Sequence, residues 1–291
     1  MQRDLTILVL FVLLLVNTVE AKNSSPLEKK NTSSTSEIIQ GIKSRSEKVP
    51  IDIKLTPLQE AAAFNPDTTV LIKLIKDGAD VNFRPNQGWT ALMYAVMDNP
   101  NPEAVYTLIN ASADVNALDD SGCTALSHAA MSNQHPEVIN ALVKAGANVN
   151  VKDREGQTPL IVAAIYSGTP EVVSAIIKAG ADLNACDNDG RNFLICAAHS
   201  NNMRIVSLIL KTGTDVNFRS KKDGFTALMA ASRNPDPNPE IILALLAAGA
   251  KANLKDSSGK SALDYARENK KLLRTEAFKK LEVATNSETK P

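Results

Sequence analysis

The stretch GWTALMYAVMDNPNPEAVYTLINASADVN, residues 88–116, is one copy of a unit that recurs along the chain. A triplet that begins with Thr, Asn or Ser and ends with Leu identifies each copy, and a glycine precedes the triplet by two residues from the second copy onward. Successive triplets begin 34 or 35 residues apart. They occur at residues 56–58, 90–92, 124–126, 158–160, 192–194, 226–228 and 261–263. Such a fixed period predicts a stack of repeated structural units.

The order of residues within each copy predicts two short helices. The hydroxyl of the triplet Thr can cap the first helix by accepting a backbone N–H. Small pairs such as Ala163-Ala164 then allow helices to approach closely. A Pro-Glu pair such as Pro136-Glu137 begins the second helix, with the acid in the favourable first turn. A glycine such as Gly146 ends it, and an Asp-Val-Asn segment leads into a tight turn.

This order resembles the ankyrin repeat, which residues Gly156–Asn184 match closely and residues 50–282 match as a whole. The sequence departs from the family in two ways: no His follows the triplet, and the turn between the helices is longer in most copies. The resemblance implies an all-α ankyrin-repeat solenoid, in which antiparallel helix pairs are joined by β-hairpin loops. We expect about seven repeats, caps included.

The N-terminal segment predicts export. Residues 1–21 have a polar start with Arg3, an apolar run over 5–16, and small residues before a possible cleavage point after Ala21. This is the pattern of a secretory signal peptide, and an uncleaved membrane anchor is the alternative. A short exported array with few cysteines resembles bacterial periplasmic or secreted proteins, so we expect one of those two locations.

The remaining boundaries follow from local composition. Residues 22–35 are polar and predict a flexible leader, since they cannot bury enough surface to become ordered. Residues 36–53 predict an N-terminal half-repeat cap within an ankyrin domain over 36–283; the alternative is that they extend the leader. Residues 259–283 predict a C-terminal cap with a charged helix at 270–282, for which an anionic partner is an alternative role. Residues 284–291 predict a disordered tail.

The charge and motif content exclude several function classes. With 32 basic and 32 acidic side chains the net charge is zero, so we expect no nucleic-acid binding and, after signal cleavage, no membrane binding. Phosphate loops, nucleophile elbows and paired carboxylates are absent from the sequence. The histidines His128, His135 and His199 are not at metal-ligand spacing, so packing or solvated roles are expected. We therefore predict a monomer that is not an enzyme, with no catalytic residue, metal or cofactor.

Three cysteines raise the question of a reactive thiol in an exported chain. Cys196 occupies a first-helix position and is predicted to lie in the core. Cys123 and Cys186 belong to hairpins two repeats apart, about 20 Å at the ~10 Å spacing of stacked helices. That separation is beyond disulfide reach, so no internal disulfide is expected. Intermolecular pairing through Cys123 or Cys186 is the alternative.

The resemblance also implies where a protein partner docks: on the hairpin tips and on the concave face of the first helices. The candidate residues at the matching positions are Trp89, Met97, Met131, Ile165, Tyr166, Arg191, His199, Phe225 and Arg233. An exposed row of such side chains predicts an interface. The alternative is that they pack between neighbouring hairpins. For Phe83 and Phe218, binding and packing are expected equally.

Three functions fit these expectations. The first is an exported scaffold that binds a protein of unknown identity. The second is a periplasmic accessory or inhibitor of a specific enzyme, for example in oxidative-stress defence. The third is a secreted effector that acts on a host protein.

Overall fold

A computed structural model describes residues 55–99, 101–132, 135–166 and 169–287. The predicted signal peptide (1–21), leader (22–35) and N-terminal half-repeat (36–53) lie outside these residues, as do the last four residues of the predicted tail. In the part of the chain that the structure describes, no helix is long and apolar enough to cross a membrane.

Fourteen α-helices form seven pairs in the described residues. The first helices of the pairs are α1 (Pro57–Phe64), α3 (Ala91–Asp98), α5 (Ala125–Ser132), α7 (Pro159–Ile165), α9 (Phe193–His199), α11 (Ala227–Arg233) and α13 (Ala262–Glu268). The second helices are α2 (Thr68–Lys76), α4 (Glu103–Asn110), α6 (Pro136–Lys144), α8 (Pro170–Lys178), α10 (Met203–Leu210), α12 (Pro239–Ala247) and α14 (Glu276–Ser287). This architecture confirms the predicted all-α repeat solenoid.

The helix ends lie where the repeat predicts them. Thr158 caps α7 by accepting the backbone N–H of Ile161, and Asn192 does the same for α9 with Ile195. Gly146 follows α6 with a φ of 92°, a left-handed conformation that costs little only for glycine. These capping and terminating residues therefore set the starts of α7 and α9 and the end of α6.

The core lies between successive repeats. Each first helix packs against the first helix of the next repeat, and each second helix against the next second helix. The small pair Ala163-Ala164 is fully buried in this contact, which confirms its predicted role. Leu residues of the triplets, such as Leu126 and Leu160, are also fully buried. One continuous apolar cluster therefore extends through the stack.

A ladder of hydrogen bonds joins the turns of successive repeats. The asparagine that ends the Asp-Val-Asn segment donates to a carbonyl one repeat further on: Asn82 to Ser112 at 3.1 Å and Asn116 to Gly146 at 2.9 Å. Its side-chain oxygen in turn accepts a backbone N–H of that repeat, as Asn116 does from Asn148 at 2.8 Å. Sequence reasoning read this segment only as the way into a turn, whereas it also links the repeats.

Two details differ from the sequence-based expectations. The last helix begins at Glu276 rather than at 270 and continues to Ser287, so it includes the first four residues of the predicted tail. It continues because Ala277, Phe278 and Leu281 bury an apolar face against the stack, and Thr285 adds a hydrogen bond to the Leu281 carbonyl at 2.8 Å. The hairpins contain only single antiparallel bridges in the described residues, for example between Cys186 and Asn192.

Candidate partner-binding surface

Two positions of the repeat supply most of the predicted binding residues. The first position directly follows the turn glycine and carries Trp89, Arg191 and Phe225. The second lies seven residues after the residue that caps the first helix, close to the end of that helix. Its occupants along the stack are Met97, Met131, Ile165, His199 and Arg233. Both positions recur at the same place in every repeat. Residues at the same position therefore differ in how deeply they are buried and in what they contact.

Three of the predicted residues are buried, which contradicts the expectation of an exposed row. Trp89 and Met131 are each 9% exposed, and Phe225 is 8% exposed. The Trp89 ring lies 5.0 Å from that of Tyr94 and 4.3 Å from that of His128, measured between centroids. Large apolar side chains at these positions gain more from contacting the next repeat than from solvent. They belong to the core.

A second group is partly buried. Met97, Ile165 and Tyr166 pack against the core and keep part of their surface exposed. The Met97 sulfur also accepts a hydrogen bond from the Ser132 hydroxyl at 3.0 Å. On the hairpin arms, Phe83 is 49% exposed, whereas Phe218 is half-buried against the core. Packing thus accounts for much of this group, and Phe83 has the most open surface.

Arg191 is half-exposed and neutralised within its own hairpin. Its guanidinium lies 2.8 Å from the buried carboxylate of Asp187 and 3.3 Å from that of Asp189. Lys222 reaches Asp189 from the next repeat at 2.6 Å. This ionic network holds the two hairpins together and leaves Arg191 little free charge to offer a partner.

His199 and Arg233 lie at the surface, at the ends of α9 and α11. The guanidinium carbon of Arg233 is 5.8 Å from the ring centroids of both Phe225 and Tyr265. Among the described residues, no carboxylate lies within ion-pair distance of Arg233. Partial desolvation of the His199 ring, followed by repulsion from Arg191 and Arg233, lowers the pKa of His199. Of the predicted binding residues, His199 and Arg233 therefore have exposed surface available to a partner.

Sequence reasoning missed the role of Tyr265. Its ring packs edge-on against Phe225 at 5.5 Å, and Lys260 lies 5.3 Å from its centroid. Tyr265 also lines a shallow groove of about 330 Å³ beside the C-terminal ends of α11 and α13. The groove residues are Arg233, Pro235, Tyr265, Glu268, Asn269, Lys270 and Lys271. The available signal was the tyrosine at a first-helix position that holds Ala230 in the preceding repeat.

The cysteines are free thiols. Cys196 is buried, which confirms the prediction, and burial raises the pKa of its thiol to about 12. Cys123 is buried as well. Burial, followed by the fields of Asp119 and Asp153, raises the pKa of the Cys123 thiol. Cys186 is half-buried and its thiol pKa is also raised, first by burial. None of these environments favours a reactive thiolate.

The histidine analysis missed a spatial grouping. The ligand atoms of Asp119, Cys123 and His128 all lie within 4.8 Å of one another, and all three side chains are buried. Asp119 and His128 share a hydrogen bond of 2.9 Å. Burial opposes ionisation of Asp119, but the bond to His128 and the backbone N–H groups of Cys123 and Ser121 outweigh it and lower the pKa of Asp119. Spacings of four and five residues along the chain gave no recognisable metal motif.

Comparison with known proteins agrees with this geometry. The family model for ankyrin repeats in three copies matches overlapping windows over residues 33–119, 58–153, 96–187, 128–220, 160–256 and 203–281. The chain belongs to the ankyrin-repeat family. Ankyrin repeats generally mediate protein–protein interaction, and the fold is typically a non-enzymatic binding scaffold.

Particular relatives add information about the fold. The crystal structure of the human ASB11 ankyrin repeat domain superposes with a TM-score of 0.67 at 24% identity, and covers 79% of this chain and 98% of that domain. The mitochondrial disaggregases of Homo sapiens and Bos taurus are 48% identical to this chain over 63 residues, which is 22% of the ankyrin chain. The match spans only 8% of the human protein and 9% of the bovine one.

Proposed function

We propose that this chain is an exported ankyrin-repeat scaffold that binds a protein partner on the concave side of its C-terminal half, through His199, Arg233 and the adjacent groove. The observation that carries this proposal is the environment of Arg233. Its exposed guanidinium is held over two aromatic rings and has no acidic partner among the described residues. A carboxylate of the partner could form a strong, charge-assisted hydrogen bond with this guanidinium.

The neighbouring charges support a partner with an acidic segment. Lys270 lines the groove beside Arg233, and His199 lies close enough to Arg233 for its pKa to be lowered by it. Other basic groups nearby are already paired, for example Lys271 with Asp236 at 2.8 Å and Lys260 with Glu268 at 2.6 Å. Arginine and tyrosine are also the residue types that dominate binding energy in interfaces.

Export is part of the proposal and rests on the sequence of residues 1–21. Intact-protein mass spectrometry of the chain isolated from its source should give a mass that begins at Lys22. A mass that retains residues 1–21 would favour an anchored chain and would contradict cleavage.

The binding proposal is tested by charge reversal on the two sides of the stack. Arg233→Glu should lose the protein that wild-type chain captures from extract, because two acidic groups would then face each other. Arg204→Glu is the matched control, since Arg204 lies exposed on α10, a second helix. Circular dichroism should show both variants folded. Equal capture by both variants would refute the proposed surface, and a loss confined to Arg204→Glu would move the interface to the second helices.

A further inference from the structure

The group formed by Asp119, Cys123 and His128 combines three metal-binding atom types at one buried point. Asp119 begins the hairpin turn, Cys123 ends it, and His128 lies one turn into α5. The Asp119 Oδ2 and His128 Nε2 atoms are 2.9 Å apart. The Trp89 ring packs against that of His128, with the centroids 4.3 Å apart and the ring planes tilted by 47°. His128 itself is only 4% exposed.

A fourth donor comes from the next hairpin. The Oδ2 atom of Asp153 lies 3.9 Å from the Cys123 sulfur. Asp153 occupies in its repeat the position that Asp119 occupies one repeat earlier. The ligand atoms within 4.8 Å of one another are those of Asp119, Cys123 and His128, and Asp153 contacts the sulfur of this group from the next hairpin.

Comparison with the equivalent aspartates singles out Asp153. Asp119 pairs with His128, nine residues later, and Asp187 with Arg191, four residues later. Asp256 accepts a hydrogen bond from the Tyr265 hydroxyl at 2.5 Å, again nine residues later.

At the two corresponding places after Asp153 stand Gln157 and Val162, so neither place supplies a cation. Among the described residues, neither Asp153 nor the adjacent Glu155 has a Lys or Arg within ion-pair distance. A partly buried carboxylate without a cation thus lies beside a buried thiol and a second carboxylate, and this arrangement is costly unless a positive charge joins it.

We propose that Asp119, Cys123 and His128 bind a zinc ion, and that the Asp153 side chain turns from the sulfur toward the ion to supply the fourth ligand and link two successive hairpins. Zinc takes thiolate, imidazole and carboxylate ligands in tetrahedral sites at about 2.0–2.3 Å, which puts neighbouring donors about 3.3–3.8 Å apart. The distances of 2.9 and 3.9 Å lie on either side of that range. The ion would replace the proton between Asp119 and His128 and the proton of the thiol. Its role would be structural, because all four positions are protein ligands.

The test uses the full chain, reduced and stripped of metal, titrated with Co²⁺ as a spectroscopic substitute for zinc. One equivalent should produce thiolate-to-cobalt charge-transfer absorption in the near ultraviolet, and Zn²⁺ should abolish it. Cys123→Ala should lose the absorption. Cys186→Ala and Cys196→Ala, the matched controls, should keep it. No such absorption in the wild-type chain, or its persistence in Cys123→Ala, would overturn the proposal.

Folding of the variants is controlled separately. Other repeats hold Trp89, Gln157, Arg191 or Phe225 at the position of Cys123, so alanine is expected to be tolerated there. If Cys123→Ala nevertheless unfolds, Asp153→Asn decides, because its amide oxygen can still accept the turn N–H groups of Glu155 and Gln157. Zn²⁺ should raise the Tm of wild type and raise that of Asp153→Asn less. An equal rise in both, or none in wild type, would contradict the site.

Discussion

One position of the repeat has opposite environments in the two halves of the stack. Near the end of the first helix, Met97, Met131 and Ile165 pack against the core in the N-terminal half, whereas His199 and Arg233 meet solvent in the C-terminal half. The backbone is the same in both halves, so side-chain chemistry decides. Apolar side chains gain most by packing against the next repeat, whereas the polar His199 and the charged Arg233 stay hydrated, and the Arg233 guanidinium lies over two aromatic rings. The binding surface that we propose therefore lies in the C-terminal half.

The largest expected effect tests burial in the N-terminal half. Trp89→Ala should lower the free energy of unfolding by about 3–5 kcal/mol, because it empties the contact with Tyr94 and His128. Urea denaturation measures the loss. Phe83→Ala is the control, since an aromatic ring that is 49% exposed should cost much less. Similar losses for the two variants would mean that Trp89 is not a core residue.

The next prediction compares two occupants of the same position. Met131→Ala should destabilise the fold by about 2–5 kcal/mol, because it leaves a cavity between repeats. Arg233→Ala should cost under about 1 kcal/mol, since it removes only an exposed cation–π contact. Thermal or urea unfolding of both variants measures the difference. If Arg233→Ala were the more destabilising of the two, the contrast between a buried N-terminal half and an exposed C-terminal half would be wrong.

A third prediction concerns the close approach of first helices, which both halves share. Ala164→Leu should cost about 1–3 kcal/mol through overpacking, because the Ala164 side chain is fully buried. Ala247→Leu is the control, as Ala247 is exposed at the end of α12. An unchanged urea midpoint for Ala164→Leu would show that the helix faces are misassigned.

The smallest expected effect is a pH dependence of stability that arises from His199 in the C-terminal half. The unfolded chain protonates His199 near its usual pKa of 6.5, whereas the folded chain does so only at a lower pH. Stability is therefore complete above pH 6.5 and declines as the pH falls toward the folded pKa. His199→Gln should show a smaller decline over this window and match wild type above pH 7.5. Equal declines would indicate that partial burial, Arg191 and Arg233 do not together lower the pKa of His199.

The fold could be predicted from the sequence because local residues determine it. Capping residues such as Thr158, glycines such as Gly146 and small pairs such as Ala163-Ala164 act within one repeat or on its exact copy. A fixed period then implies the stack. The end of α14 was placed too early, since Phe278 and Leu281 gain their burial from contacts that no local pattern encodes.

The candidate surface was less predictable, because exposure depends on the next repeat. Trp89 is covered by His128, which lies 39 positions later and occurs at that place in one repeat only. Arg191 loses its free charge to Asp187 and Asp189, both of which have the sequence appearance of simple turn formers. In contrast, exposure of His199 and Arg233 follows from their polar side chains and their position at a helix end.

Amide hydrogen exchange of the full chain, with and without its captured partner, tests most directly where the partner binds. The account predicts slower exchange on binding in residues 225–234 and 260–271, and little change in the second helices α10 and α12. The N-terminal first helices α3 and α5 should also be unaffected. Protection confined to α3 and α5, or to the second helices, would contradict a binding surface in the open C-terminal half.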